Sequence, residues 1–283
     1  MKTCTELAPG KLNLTLDVVG TRADGYHEVC MLMQTVSLYD RVTVTVGGGS
    51  WHCRCDVGGV PEDLDNLALK AAMHFCRAAA IDCGGVSVEI AKRIPIQGGM
   101  AGGSADAAAV LRAMNRLCGA PFSVSELCRL GEAVGSDVPY CVLGGTALAQ
   151  GRGERLTVLP SMPKASVVLV RPDFSVSTPT LFAAVDRETD LRRPDTDAAL
   201  RALRQGDLTA LGRQTVNVFQ PIIERSHPEV AEICAALRSF GAVGAAMTGT
   251  GSVVFGIFSD PGAAARAEAS LRASYLTFSA EPV

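Results

Sequence analysis

Apolar and polar residues alternate along several short segments of the chain. This period of two is typical of strands that bury one face of a sheet. It is clearest at 12–18, where leucine and valine alternate with asparagine, threonine and aspartate, and at 42–46, where valine alternates with threonine. The segment 86–91 alternates in the same way and predicts a half-exposed strand in an antiparallel sheet. Shorter apolar runs predict three more strands, at 167–170, 243–248 and 252–258.

Five other segments carry apolar residues at every third or fourth position, which is the helical period. They predict helices at about 67–80, 106–118, 123–135, 197–205 and 228–239. Ser123 and Glu126 have the spacing of a capping box, and Gly119, Gly135 and Gly241 mark helix ends. Strands that precede helices in this order predict an α+β fold, with helices on one side of a largely antiparallel sheet.

The chain changes character between about 144 and 164, where glycines, prolines and the run G-R-G-E-R interrupt the periodic pattern. We place a domain boundary near residue 153, which gives an N-terminal domain of 1–153 and a C-terminal domain of 154–283. The last of the predicted strands is a candidate to return to the first domain.

Composition and charge exclude several classes of protein. Hydrophobic residues make up 48% of the 283 residues and charged residues 19%, so a packed core is expected and disorder is not. A formal net charge of −3 provides no basic field for nucleic acid or an anionic membrane. The sequence has neither a signal-peptide pattern nor an apolar run of about 18 residues. We expect a soluble, cytosolic monomer or weak homodimer with no nucleic-acid or membrane partner.

Ten cysteines are scattered along the chain without a C-x-x-C pair. Four of them fall on inward stripes of predicted helices and are interpreted as small apolar residues: Cys76, Cys118, Cys128 and Cys234. The one metal-like cluster is His52-Cys53-Arg54-Cys55, and it lacks the second pair that a zinc site needs. We therefore expect reduced thiols and no zinc site.

A glycine-rich loop stands immediately before the second predicted helix. Residues 95–105 read P-I-Q-G-G-M-A-G-G-S-A. Glycine lets the backbone approach a ligand closely, and the unpaired N–H groups of a helix start attract an anion such as phosphate. The loop lacks the lysine of a P-loop after Gly103, and a half-exposed strand precedes it instead of the buried strand of a dinucleotide-binding motif. A plain tight connection remains the alternative.

Three segments together resemble the kinase family named after galactokinase, homoserine kinase, mevalonate kinase and phosphomevalonate kinase (GHMP kinases). The glycine loop resembles the phosphate loop of this family, A-P-G-K-L-N-L-T-L at 8–16 its first motif, and M-T-G-T-G-S-V-V-F-G at 247–256 its third. The resemblance extends from about residue 8 to about residue 258. It implies two domains: an N-terminal sheet with helices like domain 2 of ribosomal protein S5, and a C-terminal ferredoxin-like α/β sandwich.

Two further runs, D-G-Y-H-E at 24–28 and G-S-D-V-P-Y at 135–140, resemble one branch of that family. Its members use ATP to phosphorylate methylerythritol linked to cytidine diphosphate, in the non-mevalonate route to isoprenoids. The resemblance thus implies a small-molecule kinase with ATP as co-substrate, and Mg²⁺ is expected to accompany ATP.

The residues implied to contact ATP are Asn66, Lys92, Pro95, Ile96, Gln97, Gly98, Gly99, Met100, Ala101, Gly102, Gly103, Ser104 and Ala105. Asn66 matches a position near adenine, and a helix cap is its alternative or additional role. The Ser104 hydroxyl suits a phosphate or Mg²⁺, with a helix cap again as the alternative. Lysines and arginines at the end of a strand are usually solvated, and this is the expectation for Lys92 and Arg93 from residue type. The resemblance alone implies that Lys92 contacts the nucleotide.

The implied catalytic pair is Lys11 and Asp137. Lys11 and Asn13 lie on the polar side of the first strand, which from residue type alone indicates a solvent-facing surface. Asp137 follows Gly135 in a turn, where an aspartate most often bonds to nearby N–H groups. The resemblance instead implies that Asp137 accepts a proton or orients the acceptor hydroxyl, that Lys11 stabilises negative charge, and that Asn13 contacts the substrate.

The resemblance also implies a nucleobase site formed by Tyr26, His27 and Phe182, with aromatic faces that stack on cytosine. From residue type alone, Tyr26 and His27 are expected simply to hold their own loop in place. The whole-chain alternatives are a sister kinase acting on mevalonate, homoserine or a sugar, a decarboxylase on the same fold, and a binding protein without turnover. The runs at 24–28 and 135–140 disfavour the sister kinases, and the presence of Lys11, Asp137 and Ser104 together disfavours a binding protein.

Overall fold

The computed structural model describes residues 1–283, which separate into two compact units. The first unit comprises Met1–Gly10, Tyr39–Ile94 and Ala101–Gly144, and the second comprises Lys11–Leu38, Pro95–Met100 and Gly145–Val283. Two long strands, β1 (Lys2–Thr21) and β2 (His27–Val46), run through both units, so neither unit is one continuous piece of chain. The domain boundary near residue 153 stays a prediction.

The first unit contains four helices beside its strands. Its elements after β2 are β3 (His52–Cys55), α1 (Leu67–Ala79), β4 (Val86–Ala91), α2 (Gly102–Leu117), α3 (Val124–Glu132) and α4 (Val138–Leu143). β4 pairs in parallel with β3 and antiparallel with β2, where Val44 stands opposite Val88 and both are fully buried. α1 and α2 pack against each other, and both bury several alanines, whose small side chains permit a close approach.

The second unit holds the remaining elements: β5 (Thr146–Gly151), β6 (Arg155–Val158), β7 (Ser166–Arg171), α5 (Thr178–Val185), α6 (Thr196–Gln205), α7 (Leu208–Arg213), β8 (Val216–Asn217), α8 (Gln220–Glu224), α9 (Glu229–Ser239), β9 (Gly244–Met247), β10 (Val254–Phe258), α10 (Pro261–Leu271) and β11 (Leu276–Ala280). β5 pairs antiparallel with β2 and with β6, and β8 pairs in parallel with β1.

A separate four-stranded antiparallel sheet in the second unit has the order β11-β7-β10-β9. α9 and α10 pack on this sheet, whose central strands are apolar on both faces: Leu169, Phe255 and Phe258 are completely buried. Antiparallel strands covered by helices confirm the α+β class, and this sheet has the make-up of the predicted α/β sandwich.

Most predicted elements form close to their predicted bounds. The capping box is confirmed, because Ser123 accepts a hydrogen bond from the Glu126 amide and the Glu126 carboxylate accepts from the Ser123 amide. The helix after it ends at Glu132, three residues before the predicted end, because the backbone turns at 133–136 to begin α4. Five strands (β3, β5, β6, β8 and β11) and five helices (α4, α5, α7, α8 and α10) were not predicted.

The expectation that all thiols are reduced is wrong for two cysteines. Cys76 in α1 and Cys83 beyond its end form a disulfide, with their Cα atoms 6.7 Å apart. The other eight cysteines are free. In the metal-like cluster, both ring nitrogens of His52 lie within hydrogen-bond distance of the hydroxyls of Ser50 and Ser87. No helix combines the length and the apolar character needed to cross a membrane.

Candidate active site

The first half of the glycine loop, Pro95–Met100, belongs to the second unit and lies against the turn between β9 and β10. The Gly98 carbonyl accepts a hydrogen bond from the Val253 amide at 3.2 Å. Gly99 has a φ of +75°, and a Cβ at this position would overlap the Thr248 carbonyl oxygen. Glycine is therefore required at 99 both by the left-handed backbone and by the contact with the turn.

The same turn also binds the first strand through a completely buried threonine hydroxyl. Thr248 Oγ1 accepts a hydrogen bond from the Asn13 amide at 3.0 Å and lies 3.5 Å from both Asn13 Oδ1 and the Gly99 carbonyl. The Met100 carbonyl accepts from the Lys11 amide at 3.1 Å. Within the second unit, the three family-like segments thus meet, and hydrogen bonds fix their relative positions.

Lys11 and Asn13 are not on a solvent-facing surface, so that expectation from residue type is wrong. Lys11 is only 4% exposed and Asn13 is completely buried. The Lys11 ammonium donates to Asn13 Oδ1 at 2.6 Å, and Asn13 Nδ2 lies 3.2 Å from the Met31 sulfur. A buried ammonium requires polar partners, and Asn13 holds this one in a defined place on β1.

The second half of the loop starts α2 in the first unit. Ala101, with a φ of +58°, occupies the N-cap position and supplies no side-chain cap. Ser104 is the third residue of the helix, so its alternative role as a helix cap is wrong. The first-turn amides of α2 lack the side-chain acceptor that caps most helices, and this leaves them available to an anion.

Lys92 lies beneath this helix start in a buried charge cluster. Its ammonium bonds to Asp40 Oδ2 and, at 2.8 Å, to Asp106 Oδ2, and the three side chains are at most 6% exposed. A Cβ on Gly102 would lie 3.1 Å from Lys92 Nζ. The expectation that Lys92 is solvated is thus wrong, while Arg93 is exposed as expected.

The cluster contains two carboxylates for one ammonium. Asp40 is fully satisfied, because its Oδ1 also accepts from the amides of Arg93 and Ile94. Asp106 Oδ1, in contrast, is buried without a hydrogen-bond partner. Burial raises the pKa of Asp106 to about 7; the negative charge of Asp40 adds to the rise and the Lys92 ammonium opposes it. Burial lowers the pKa of Lys92, but the two carboxylates outweigh it and the net shift is upward.

Asp137 precedes α4 at its N-cap position, yet its carboxylate makes no capping hydrogen bond. The expected role as a turn former that bonds to nearby amides is therefore wrong. The turn itself lies beside the start of α2, because a Cβ on Gly135 would be 4.0 Å from the Ser104 hydroxyl. Asp137 and Ser104 thus belong to neighbouring segments of the first unit, whereas Lys11 belongs to the second.

Asn66 caps α1, as its alternative role predicted. Its Oδ1 accepts from the Ala68 amide at 2.8 Å, and its Nδ2 donates to the Pro61 carbonyl at 2.6 Å. The side chains of Met100 and Ala105 are buried, so only their backbone can face a ligand. Gln97 has a φ of +55° and is exposed. Its neighbours in the loop, Pro95, Ile96 and Gly98, are buried or half-buried.

The residues predicted to hold a nucleobase form two aromatic contacts in the second unit. The His27 and Phe182 rings lie 4.7 Å apart between centroids, at 32° to each other, and His27 Nε2 is 2.9 Å from Asp186 Oδ1. Tyr26 is 57% exposed, and the Arg152 guanidinium carbon lies 5.1 Å from the centre of its ring. This distance is within range of a cation–π contact.

Sequence reasoning missed several residues that these contacts show to be important. They are Asp40, Asp106, Arg152, Asp186 and Thr248. Thr248 and Arg152 lie in the T-G-T-G-S and G-R-G-E-R runs, which gave a local signal. The three aspartates gave none, because their partners lie between 14 and 159 residues away in the chain.

Comparison with known proteins agrees with this geometry. The family model of the GHMP kinases N terminal domain matches residues 66–145, and that of the GHMP kinases C terminal matches residues 199–276. A curated 4-diphosphocytidyl-2-C-methyl-D-erythritol kinase from Acetivibrio thermocellus is 40% identical, with 91% of each chain covered. The chain belongs to the GHMP kinase family. Enzymes of the same name from Pelotomaculum thermopropionicum and Exiguobacterium sibiricum are 42% and 43% identical over 90% and 88% of this chain, and 89% and 87% of theirs.

Solved structures of GHMP kinases are also similar to this chain. A crystal structure of 4-(cytidine 5'-diphospho)-2C-methyl-D-erythritol kinase matches with a TM-score of 0.84 and 35% identity over 99% of both chains. A homoserine kinase from Cytophaga hutchinsonii (TM-score 0.78, covering 100% of this chain and 95% of that one) and the L. major mevalonate kinase (0.74, covering 99% and 96%) are each 18% identical. These two share the fold alone.

Proposed function

We propose that this GHMP kinase transfers the γ-phosphoryl group of ATP to the 2-hydroxyl of 4-diphosphocytidyl-2-C-methyl-D-erythritol. The products are the 2-phosphate and ADP, and the reaction belongs to the methylerythritol phosphate pathway of isoprenoid biosynthesis. The observation that carries the proposal is identity of 40–43% to several curated kinases of that name over about nine tenths of both chains. Both substrates are water-soluble phosphate esters, and we place the enzyme in the cytoplasm as a monomer or weak homodimer.

The glycine loop is proposed to bind the ATP phosphates through its backbone. Phosphoryl transfer depends on positioning and on stabilisation of negative charge more than on covalent chemistry. The uncapped first turn of α2 provides amides and the positive end of the helix dipole for this purpose. The adenine is proposed to lie near Asn66. Lys92 lies next to Gly102 at the start of α2, and a direct contact between Lys92 and the nucleotide stays a prediction.

Asp137 and Lys11 are proposed to act on the acceptor hydroxyl. A carboxylate that makes no capping bond is available to accept the hydroxyl proton as the oxygen attacks phosphorus, or to orient that hydroxyl. Lys11, held by Asn13, supplies a positive charge that offsets the negative charge on the reacting oxygens. Asn13 is also proposed to contact the substrate.

Mg²⁺ is expected to accompany ATP, and the residues present fit it. This ion usually takes one or two protein oxygens together with phosphate oxygens and water. Ser104 offers a hydroxyl oxygen in the first turn of α2, a position suited to this role. Held there, Mg²⁺ would neutralise part of the negative charge of the phosphates.

An ADP-release assay tests the proposal. The purified protein is given ATP with the cytidine substrate, with mevalonate or with homoserine, and carbon dioxide is measured in parallel. We expect ADP release to depend on the cytidine substrate, without carbon dioxide. Activity with mevalonate or homoserine alone contradicts the proposal in favour of a sister kinase, and carbon dioxide release favours the decarboxylase.

A further inference from the structure

His27 is held by two side chains from one helix. Phe182 lies in α5, and Asp186 is the residue that caps the end of this helix. The two residues are four positions apart, so both side chains project from the same helix face. Phe182 packs on the His27 ring and is itself held by the edge of Phe219, 4.9 Å away at 79°. Asp186 Oδ1 bonds to His27 Nε2 at 2.9 Å. The ring is therefore fixed both in position and in rotation, and its side chain is only 14% exposed.

The bond to Asp186 determines which ring nitrogen carries the proton. An ionised carboxylate only accepts hydrogen bonds, so Nε2 must be the donor. In a neutral imidazole the other nitrogen, Nδ1, then has a free lone pair and acts as an acceptor. Within the protein, Nδ1 has no hydrogen-bond partner that competes for this lone pair. The preceding residue in the chain, Tyr26, exposes more than half of its surface.

An acceptor at this place distinguishes two pyrimidines of the same shape. Cytosine carries an amino group at C4, which donates, whereas uracil carries a carbonyl oxygen there, which accepts. Nδ1 as an acceptor pairs with the amino group and is repelled by the carbonyl. A ligand that leaves a polar group of the site unpaired is rejected far more strongly than a ligand that only fits the shape of the site less well.

We propose that Asp186 is a positioning residue that holds His27 in its Nε2–H form, and that this form selects cytosine over uracil in the nucleotide substrate. The inference rests on the proposed function, which supplies the cytidine substrate. It goes further by assigning the choice of base to a carboxylate that contacts His27 rather than the substrate.

The perturbation that tests it is Asp186→Asn. The asparagine amide can accept a hydrogen bond from Nε2–H or donate one to an unprotonated Nε2. The variant therefore keeps the contact with His27 but no longer favours one tautomer over the other. Methylerythritol linked to cytidine diphosphate and to uridine diphosphate are compared as substrates at pH 8. We expect the ratio of the two kcat/KM values to fall at least tenfold in D186N, through KM of the cytidine substrate, with KM for ATP unchanged. Asp186→Glu, which restores a carboxylate, is expected to recover part of the selectivity, and exposed Asp190→Asn serves as the matched control.

A second readout does not depend on activity. The chain has four histidines, so ¹⁵N NMR of labelled imidazoles is tractable, with the His27 signals assigned from a His27→Gln variant. The native protein is expected to show the Nε2–H form and D186N a mixture of both forms. The inference is overturned if the native protein shows the Nδ1–H form, or if D186N keeps full selectivity. Absence of activity with both nucleotides in a native protein that shows the Nε2–H form instead overturns the proposed function.

Discussion

Replacement of Asp106 by asparagine is expected to change how the stability of the protein depends on pH. Asp106 is 3% exposed, its Oδ2 bonds to Lys92, and its Oδ1 has no partner. Asp40 binds the same ammonium and is fully satisfied. The ionised form of Asp106 is therefore the disfavoured one, and asparagine reproduces the neutral form. Its carbonyl can accept from Lys92 as the carboxylate does.

The magnitude follows from the pKa of Asp106, which burial raises from 3.8 to about 7. Because the folded state binds this proton more tightly than the unfolded chain, folding stability falls as the pH rises between these two values. The slope is about 1.4 kcal/mol per pH unit, and it acts over roughly two units between pH 5 and pH 7. Ionisation of Asp106 is thus expected to cost the native protein about 2–3 kcal/mol between pH 5 and pH 8.

Urea unfolding at pH 5 and pH 8 measures this difference. The free energy of unfolding of D106N, relative to the native protein, is expected to be about 2–3 kcal/mol more favourable at pH 8 than at pH 5. Asp65→Asn is the control, because Asp65 is 83% exposed and its ion pair with Lys70 is long, at 3.4 Å. An unchanged pH dependence in D106N would refute the reasoning about the buried cluster.

Three further variants test the loop, the turn and the carboxylate. Gly99→Ala is expected to lower the free energy of unfolding by about 2 kcal/mol or more, because φ is +75° and a Cβ would overlap the Thr248 carbonyl oxygen. Gly103→Ala is the control: its Cβ would meet only a leucine methyl at 3.6 Å, so this variant should unfold no more easily than the native protein. Thr248→Val leaves the buried Asn13 amide without its acceptor and is expected to cost about 1–3 kcal/mol in thermal or urea unfolding, and a loss below a few tenths would contradict that role. Asp137→Asn should reduce kcat about 10²–10⁴-fold at saturating substrates with an unchanged melting temperature, because the carboxylate makes no capping bond; near-normal turnover would rule out a general base.

Elements with a strong local signal were predicted well from the sequence. Strand β4 was predicted at its observed bounds, because Val86, Val88 and Ile90 alternate with exposed or half-exposed residues and are themselves buried. The Ser123 capping box and the Asn66 cap were visible because capping depends on residues only two or three positions apart. α4 was missed because its six residues are too few to show a helical period. β8, with two residues, presents the same difficulty.

The candidate site was predictable where its residues share a short segment, and less so where distant segments meet. The glycine loop and the turn around Thr248 are contiguous runs that signal close backbone approach. The environment of Lys92 could not be predicted from neighbouring residues in the sequence, because its partner Asp40 is 52 residues away. The same holds for His27, whose partner Asp186 is 159 residues away. Residue type indicated solvation for Lys11 and Lys92, and tertiary contacts bury both.

The position of the new phosphate tests the central claim most directly. The protein is incubated with ATP and ¹³C-labelled 4-diphosphocytidyl-2-C-methyl-D-erythritol, and the product is examined by ³¹P and ¹³C NMR. We expect one phosphate monoester for each ADP formed, with phosphorus coupled to the carbon that carried the 2-hydroxyl of the substrate. Phosphate on another hydroxyl, or ADP released together with free phosphate and unchanged substrate, would contradict it.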